Sequence, residues 1–208
     1  MKIGIIGAGM IGSTVARLWV DAGHEVRLAS RHPDELEPLI ANLGQRASAG
    51  SPADAATFGE VVMLTTPMVA FPQLAHDLAP LLAGKIVLDT GNAYEKRDGE
   101  VGVAAVRHPQ GSSGWSASLF PGARWVKAFS SVYFKTLETE AHRDGDQVGI
   151  PLASDDPAAM DIAAQLVRDA GFDPVAAGPL ARGKEFEPGT KPYNTGMGGV
   201  ELREILSR

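Results

Sequence analysis

Apolar and polar residues follow a strand-then-helix pattern from the first positions of the chain. The run at 3–6 is apolar and ends at glycines, which is typical of a buried parallel strand. From Met10 the pattern takes the helical period and places Ile11, Val15 and Leu18 on one face, until Gly23 ends the helix. The pattern therefore predicts a strand, a glycine turn and a helix.

The same alternation continues through most of the chain. Further strands are predicted at about 24–30, 61–64, 85–88, 124–129, 147–153 and 174–175, and helices at about 33–43, 71–82, 113–119, 157–170 and the C-terminal end. Residues 90–111 lack a period and predict a long loop. Buried strands that alternate with helices indicate α/β architecture, a Rossmann-type doubly wound, mostly parallel sheet of about eight strands with a small C-terminal extension of that sheet.

Composition excludes several functions. A net charge of −6 disfavours a nucleic-acid partner, and the absence of cysteine excludes disulfides, thiolate catalysis and cysteine-bound metal. None of the five histidines has metal-ligand spacing, so no metal site is predicted. There is no signal peptide at the start and no apolar stretch long enough to cross a bilayer, so we expect a cytoplasmic protein without membrane contact.

The glycines after the first strand have the spacing G-x-G-x-x-G at the start of a βαβ unit. In that context the first glycine permits a tight turn, the second lets the backbone approach a pyrophosphate, and the third lets helix and strand pack closely. An ordinary strand-to-helix turn is the alternative interpretation. The residues predicted to contact a dinucleotide here are Gly7, Gly9, Met10, Ile11 and Gly12.

The end of the second strand indicates which nicotinamide cofactor is preferred. Sites for NAD usually carry Asp or Glu there, whereas this chain has Ser30 and Arg31. A guanidinium and a hydroxyl suit a 2′-phosphate, so the sequence predicts NADP(H). A solvated surface arginine is the alternative for Arg31.

Polar residues also follow two later strands. Thr65, Thr66 and Pro67 come after the strand at 61–64, where a doubly wound sheet places the nicotinamide half of a cofactor. Asn92 follows the next strand, and either a cofactor contact or a simple turn explains it.

With these residues assembled, the chain resembles the NADPH:coenzyme F420 oxidoreductase family, which exchanges hydride between NADP and a deazaflavin. Related domains occur in membrane ferric reductases and pyrroline-5-carboxylate reductases. The motifs that carry the resemblance are Gly7–Gly12, Ser30-Arg31, Thr65–Pro67, Pro121–Phe129, Ala170–Val175 and Gly178–Leu180.

The resemblance implies a protein that aligns two rings without an obligatory acid or base, so no catalytic side chain is assigned. It also adds Ala128 to the expected cofactor contacts. The chain departs from the family at Ser130-Ser131, where Asn-Thr is common, and in the charged segment 94–100. Both departures lie near the expected acceptor.

The length of 208 residues suits one domain. We expect a single NAD(P)-binding domain over 1–208, with a dinucleotide-binding core at about 1–129. The remainder, 130–208, is expected to complete the sheet and the acceptor pocket. The apolar residues Val200, Leu202, Ile205 and Leu206 of the terminal helix are candidates for a homodimer surface.

Other polar residues have structural interpretations beside the functional ones. Lys127 is expected as a charge at the ligand-facing edge of the sheet or as a surface lysine. Ser112 and Ser113 are expected to cap a helix, and Asp156 to start one. His108 is the one histidine considered as a proton donor.

Three functions remain open at this point. The first is hydride transfer between NADPH and a planar acceptor such as a deazaflavin or flavin. The second is reduction of a small carbonyl or imine, with His108 or Tyr94 as proton donor. The third is an NADP(H)-binding sensor without turnover.

Overall fold

The computed structural model describes residues 1–207, which form one sheet flanked by helices. The strands are β1 (Lys2–Ile6), β2 (Glu25–Ala29), β3 (Ala47–Gly50), β4 (Val61–Leu64), β5 (Ile86–Asp89), β6 (Arg124–Lys127), β7 (Gly149–Ala153) and β8 (Asp173–Gly178). The helices are α1 (Met10–Asp21), α2 (Glu37–Leu43), α3 (Pro52–Phe58), α4 (Phe71–Leu82), α5 (Glu95–Arg107), α6 (Gly111–Leu119), α7 (Phe134–Thr139), α8 (Pro157–Asp169) and α9 (Gly199–Leu206). Short 3-10 turns lie at Pro33–Leu36, Met68–Ala70 and Leu180–Phe186.

The strand order is β3-β2-β1-β4-β5-β6-β7-β8. Strands β1 to β6 are parallel, whereas β7 runs antiparallel to β6, with Lys127 opposite Ala153, and β8 runs parallel to β7. Because β1, β4, β5 and β6 are parallel, their carboxyl ends share one edge of the sheet. The strand order reverses between β1 and β4, which makes this a topological switch point. The predicted Rossmann-type, mostly parallel sheet is confirmed.

Alternate side chains of the strands enter two apolar layers, one on each face of the sheet. In β4, Val61 and Met63 join the layer formed with α1 and α8, while Val62 and Leu64 join the layer formed with α3 and α4. The indole Nε1 of Trp19 donates to the carbonyl oxygen of Leu166 at 2.8 Å, which ties α1 to α8. This bond fixes the C-terminal half of α1 against α8.

The predicted long loop at 90–111 is wrong, because most of it is α5. This helix is kinked at Gly99, whose φ is +59°, and it lacks a regular apolar stripe. Polar contacts stabilise it instead: the buried carboxylate of Asp98 accepts hydrogen bonds from the backbone N–H of Tyr94 at 3.0 Å and of Val69 at 3.3 Å. Because polar contacts hold this helix, its sequence shows no helical period of apolar residues from which it could be predicted.

Two of the residues predicted for a homodimer surface are buried inside the chain. Leu202 and Leu206 are 1% and 3% exposed, because α9 packs them against β7, β8 and Phe186. Val200 remains exposed and Ile205 is half-buried. The buried apolar residues of α9 therefore belong to the core of this chain.

Candidate active site

The glycine loop lies between β1 and α1, against the end of β4. Gly7 has a φ of +114°, and a Cβ there would lie 2.6 Å from the carbonyl oxygen of Thr65. A Cβ on Gly12 would lie 2.0 Å from the carbonyl oxygen of Gly7. A Cβ on Gly9 would meet no atom within 4 Å. The first and third glycines are thus required by the protein itself, while the second borders open space.

The N-terminus of α1 is open to an anion. Gly9 is its N-cap, no side chain caps it, and no acidic residue lies in its first turn. The first N–H groups of a helix have no partner within the helix, and the helix dipole favours negative charge there. Together with the space at Gly9, this arrangement suits a phosphate group.

The end of β2 carries the two residues predicted to select NADP. The hydroxyl of Ser30 accepts a hydrogen bond from the backbone N–H of His32 at 3.1 Å. Arg31 is exposed, and within residues 1–207 it forms no ion pair. Its guanidinium is therefore available to a ligand anion.

A pocket of about 380 Å³ begins at the glycine loop and extends along the carboxyl ends of β4, β5 and β6. One part of its lining is polar and comes from the segments that follow these strands, and the other part is mainly aromatic. The lining residues are Gly9, Met10, Ile11, Thr65, Thr66, Pro67, Thr90, Gly91, Asn92, Tyr94, Arg97, Ser130, Val132, Tyr133, Phe134, Tyr193 and Asn194.

Three buried polar atoms in this lining have no hydrogen-bond partner: Thr66 Oγ1, Asn92 Oδ1 and Ser130 Oγ. Buried polar groups in proteins nearly always have a partner, which is either another protein group or an ordered water molecule. The amide nitrogen of Asn92 does have a partner, the carbonyl oxygen of Ser130 at 2.6 Å.

The aromatic part of the pocket contains a pair of tyrosines in contact. The hydroxyls of Tyr94 and Tyr193 form a short hydrogen bond, and the guanidinium of Arg97 lies 4.6 Å from the centroid of the Tyr94 ring. Burial raises the pKa of the Tyr193 hydroxyl, and the contact with Tyr94 raises it further. Tyr193 therefore stays protonated at neutral pH.

A buried charge network lies directly behind the pocket. Lys127 is 0% exposed, and its Nζ donates to the carbonyl oxygen of Gly91 and to the hydroxyls of Ser112 and Ser113, all at 3.1 Å. It also pairs with Glu187 at 3.3 Å. The interpretation of Lys127 as a surface lysine is therefore wrong.

Asp89 is the second charge of this network. Its carboxylate accepts from Ser113 at 2.7 Å, from the backbone N–H of Gly91 at 2.7 Å and from the Trp125 indole at 3.2 Å. Burial raises the pKa of the Asp89 carboxyl, and the charge of Lys127 opposes that rise. The network holds the segment at Gly91 in place.

Most of the predicted cofactor residues lie together. Gly9, Met10, Ile11, Thr65, Thr66, Pro67 and Asn92 line the pocket, while Gly7 and Gly12 support its floor. Ser30 and Arg31 lie outside the pocket at the end of β2. Ala128 does not line the pocket, because it is 0% exposed and packs in the core. Its N–H donates to the carbonyl oxygen of Asp89 and extends the β5–β6 ladder.

Of the other predictions for polar residues, one is confirmed and the rest are not. Asp156 is confirmed as the start of α8, since its side chain accepts from the N–H of Ala159 at 3.0 Å. The capping prediction for Ser112 and Ser113 is wrong, because their hydroxyls bind Glu187 and Asp89 inside the protein. His108 does not line the pocket.

The sequence marks Ser130 only as a departure from the family near the expected acceptor. It marks Tyr193 and Asn194 only as members of the glycine-rich tail 192–199, which could border the pocket. Both line the pocket, and the N–H of Asn194 donates to the carbonyl oxygen of Ser131 at 2.8 Å, which holds this segment there.

Within residues 1–207, no group of three histidine, aspartate or glutamate side chains is arranged to hold a metal ion. In the same residues no helix is both long and apolar enough to cross a membrane.

The fold and the glycine loop define a dinucleotide-binding α/β protein. Residues 2–93 match the family described as "NADP oxidoreductase coenzyme F420-dependent". This segment is therefore similar to a family of NADP-dependent oxidoreductases, which confirms the resemblance predicted from the sequence.

Similarity to a curated relative extends beyond residues 2–93. The metalloreductase STEAP3 of Rattus norvegicus is 30% identical over 186 residues, which are 89% of this chain and 36% of STEAP3. The chain thus spans about a third of that relative's length.

Two solved structures are similar over most of both chains. The hypothetical protein SMa0349 of Sinorhizobium meliloti is 27% identical, with a TM-score of 0.81 and 93% of each chain covered. A putative F420-dependent NADP-reductase from Arthrobacter sp. FB24 is 23% identical, with a TM-score of 0.75, 88% of this chain and 87% of that chain covered. At 23% identity, the similarity to the Arthrobacter protein shows that the two chains share a fold.

Proposed function

We propose that the protein binds NADP(H) along the carboxyl edge of the sheet and transfers hydride between it and a planar acceptor such as a deazaflavin or flavin. The observation that carries this proposal is one continuous pocket that begins at the glycine loop and ends at an aromatic wall formed by Tyr94, Tyr133, Phe134 and Tyr193. The family match supports the cofactor half.

The residues present fit NADP(H). The open space at Gly9 and the uncapped start of α1 would hold the pyrophosphate, and Arg31 with Ser30 would hold the 2′-phosphate. Thr65, Thr66, Pro67 and Asn92 would border the nicotinamide half. When bound, the nicotinamide supplies or accepts the hydride, and this chain's residues bind and orient the two reactants.

The aromatic wall suits a flat acceptor. Tyr94, Tyr133, Phe134 and Tyr193 line the part of the pocket formed outside the family-matched segment, and Tyr133 is 46% exposed at its rim. Aromatic side chains contact planar rings over a large area. Close, oriented approach of two rings is sufficient for hydride transfer without a protein acid or base.

The contact between Tyr94 and Tyr193 supports a second candidate function, reduction of a small carbonyl or imine. Such a reaction needs a proton as well as a hydride, and a tyrosine hydroxyl in the pocket can donate it. Burial and the contact with Tyr94 raise the pKa of the Tyr193 hydroxyl, so it is protonated at neutral pH but is a weaker acid than an ordinary tyrosine.

The test is a spectrophotometric assay of NADPH and NADH oxidation against deazaflavin, riboflavin, ferric chelates and small imines. We expect NADPH oxidation with a planar acceptor at a rate that varies little between pH 6 and pH 9, and little effect of Tyr193→Phe. A pH-dependent rate with imines alone that is lost in Tyr193→Phe would favour the second function. Tight NADPH binding with no turnover would contradict both and favour the sensor.

Arg31→Ala is expected to weaken NADPH binding by about 1.5–3 kcal/mol, the usual cost of losing a hydrogen bond to a charged group. NADH binding should be unchanged, because NADH has no 2′-phosphate. Calorimetric titration measures both affinities. Arg168→Ala is the matched control, since Arg168 is exposed on α8 and does not line the pocket. Equal weakening of both cofactors by Arg31→Ala would contradict the NADP assignment.

A further inference from the structure

Two residues of the pocket, Tyr193 and Asn194, come from a segment that has neither helix nor strand, residues 187–197. Consecutive turns fold the first part of this segment. The N–H of Thr190 donates to the carbonyl oxygen of Glu187 at 3.1 Å, and the N–H of Tyr193 donates to the carbonyl oxygen of Thr190 at 3.3 Å. The position of Glu187 therefore influences that of Tyr193 through two successive backbone hydrogen bonds.

The side chain of Glu187 is held inside the protein. Its Oε1 accepts hydrogen bonds from the backbone N–H of Ser112 at 3.0 Å and from the Ser112 hydroxyl, and it pairs with Lys127 Nζ at 3.3 Å. Ser112 lies in the first turn of α6, whose N-cap residue Gln110 provides no side-chain hydrogen bond. The first N–H groups of a helix lack partners within it and favour a negative charge. The carboxylate of Glu187 therefore caps α6 from a distant segment.

The same lysine reaches the other half of the pocket. Lys127 Nζ also donates to the carbonyl oxygen of Gly91 at 3.1 Å, and Gly91 lines the pocket beside Asn92. The side chains of Lys127 and Glu187 are 0% and 19% exposed, so water screens their charges less than at the surface. Hydrogen bonds between charged groups are also stronger than neutral ones. Lys127 thus joins the start of segment 187–197 to the segment that follows β5.

We propose that Glu187 is a positioning residue for the aromatic wall. Its carboxylate, bound to Lys127 and to the start of α6, fixes the start of segment 187–197 and thereby keeps Tyr193 in contact with Tyr94. Glu187 does not line the pocket, so it acts through Tyr193 and not on a ligand. The role of the wall in holding an acceptor rests on the proposed function, whereas the anchoring of the segment does not.

Fluorine NMR of the full chain follows the wall directly, because the chain has three tyrosines and all of them line the pocket. In protein labelled with 3-fluorotyrosine, each tyrosine gives a resonance that its own Tyr→Phe variant assigns. Glu187→Ala should shift the resonances of Tyr94 and Tyr193 towards their positions in urea-unfolded protein, because their contact is lost. The resonance of Tyr133, which packs against Phe134, should stay in place.

Three further variants grade and control this result. Glu187→Gln keeps an oxygen for the N–H of Ser112 and removes the charge, so it should shift both resonances less than Glu187→Ala. Ser112→Ala removes the hydroxyl contact and leaves the ion pair, so it should give a smaller shift in the same direction. Glu185→Gln is the matched control, because Glu185 is exposed and pairs with Arg182 in the preceding 3-10 turn. Its spectrum should match that of the unmodified protein.

Steady-state kinetics with NADPH and riboflavin test what the anchored wall does. Glu187→Ala should raise KM for riboflavin about 3- to 10-fold, the factor that corresponds to one aromatic contact. KM for NADPH should be unchanged, because Lys127 keeps its bond to Gly91. Loss of binding alone raises KM and leaves kcat unchanged, whereas a merely less stable protein would lose kcat as the folded fraction falls.

The outcomes separate this inference from the proposed function. Unchanged resonances of Tyr94 and Tyr193 in Glu187→Ala would overturn the anchor, and so would equal shifts of all three tyrosines. If Glu187→Ala does not fold, unchanged resonances in Ser112→Ala would overturn it instead. If the unmodified protein oxidises NADPH with no planar acceptor, the proposed function fails and the fluorine spectra still decide the anchor. Shifted resonances with a wild-type KM for riboflavin would overturn the role of Glu187 in acceptor binding.

Discussion

Gly12→Ala is expected to lower both the stability of the protein and its affinity for NADPH. The added Cβ would lie 2.0 Å from the Gly7 carbonyl oxygen and 2.9 Å from Thr65 Cγ2, so the start of α1 must move away from β1. Overpacking of this kind costs about 1–3 kcal/mol. The displaced helix N-terminus should then weaken NADPH binding about 10- to 100-fold, or about 1.4–2.8 kcal/mol. Urea unfolding and calorimetric titration measure the two effects.

Gly9→Ala is the matched control for this prediction. Its Cβ meets nothing within 4 Å and its backbone φ of −74° is ordinary for alanine, so the free energy of unfolding should be unchanged. NADPH affinity should still fall, because the methyl group occupies the space predicted for the pyrophosphate. A Gly12→Ala protein with wild-type stability and affinity would contradict the geometry described for the loop.

Lys127→Met is expected to destabilise the protein by about 3–5 kcal/mol, the usual cost of removing one partner of a buried ion pair. The substitution leaves Glu187 without its ion-pair partner, removes the positive charge near the buried carboxyl of Asp89 and removes a donor from the Gly91 carbonyl oxygen. Urea unfolding followed by circular dichroism measures the change.

Lys135→Met is the control for Lys127, because Lys135 is exposed and forms no ion pair within residues 1–207. Its effect should stay within about 0.5 kcal/mol. If Lys127→Met lowers the free energy of unfolding no more than Lys135→Met does, the buried network contributes little to stability.

Sequence reasoning was effective where a function requires a local pattern. The glycine loop, the strand before it and the helix after it lie within one short segment, and packing at Gly7 and Gly12 requires residues without a side chain. The same holds for Thr65–Pro67, which directly follow a buried strand. Local spacing therefore predicted the fold class and the residues that line the part of the pocket next to the glycine loop.

The aromatic part of the pocket depends on contacts between distant segments, which no local pattern encodes. Tyr193 meets Tyr94 across 99 positions, and Lys127 meets Glu187 across 60. A lysine at the end of a strand has the same appearance in sequence whether it is exposed or buried, and only its partners decide. The kinked helix α5 was missed for a related reason, since side-chain hydrogen bonds stabilise it in place of an apolar stripe.

The two halves of the pocket come from different parts of the chain. The glycine loop and the segments after β4 and β5 lie inside the family-matched residues 2–93, whereas the whole aromatic wall lies outside them. Under the proposed function, substitutions in the wall would change acceptor preference without altering the cofactor site. Acceptor preference could then diversify through changes in one region while the other region is kept.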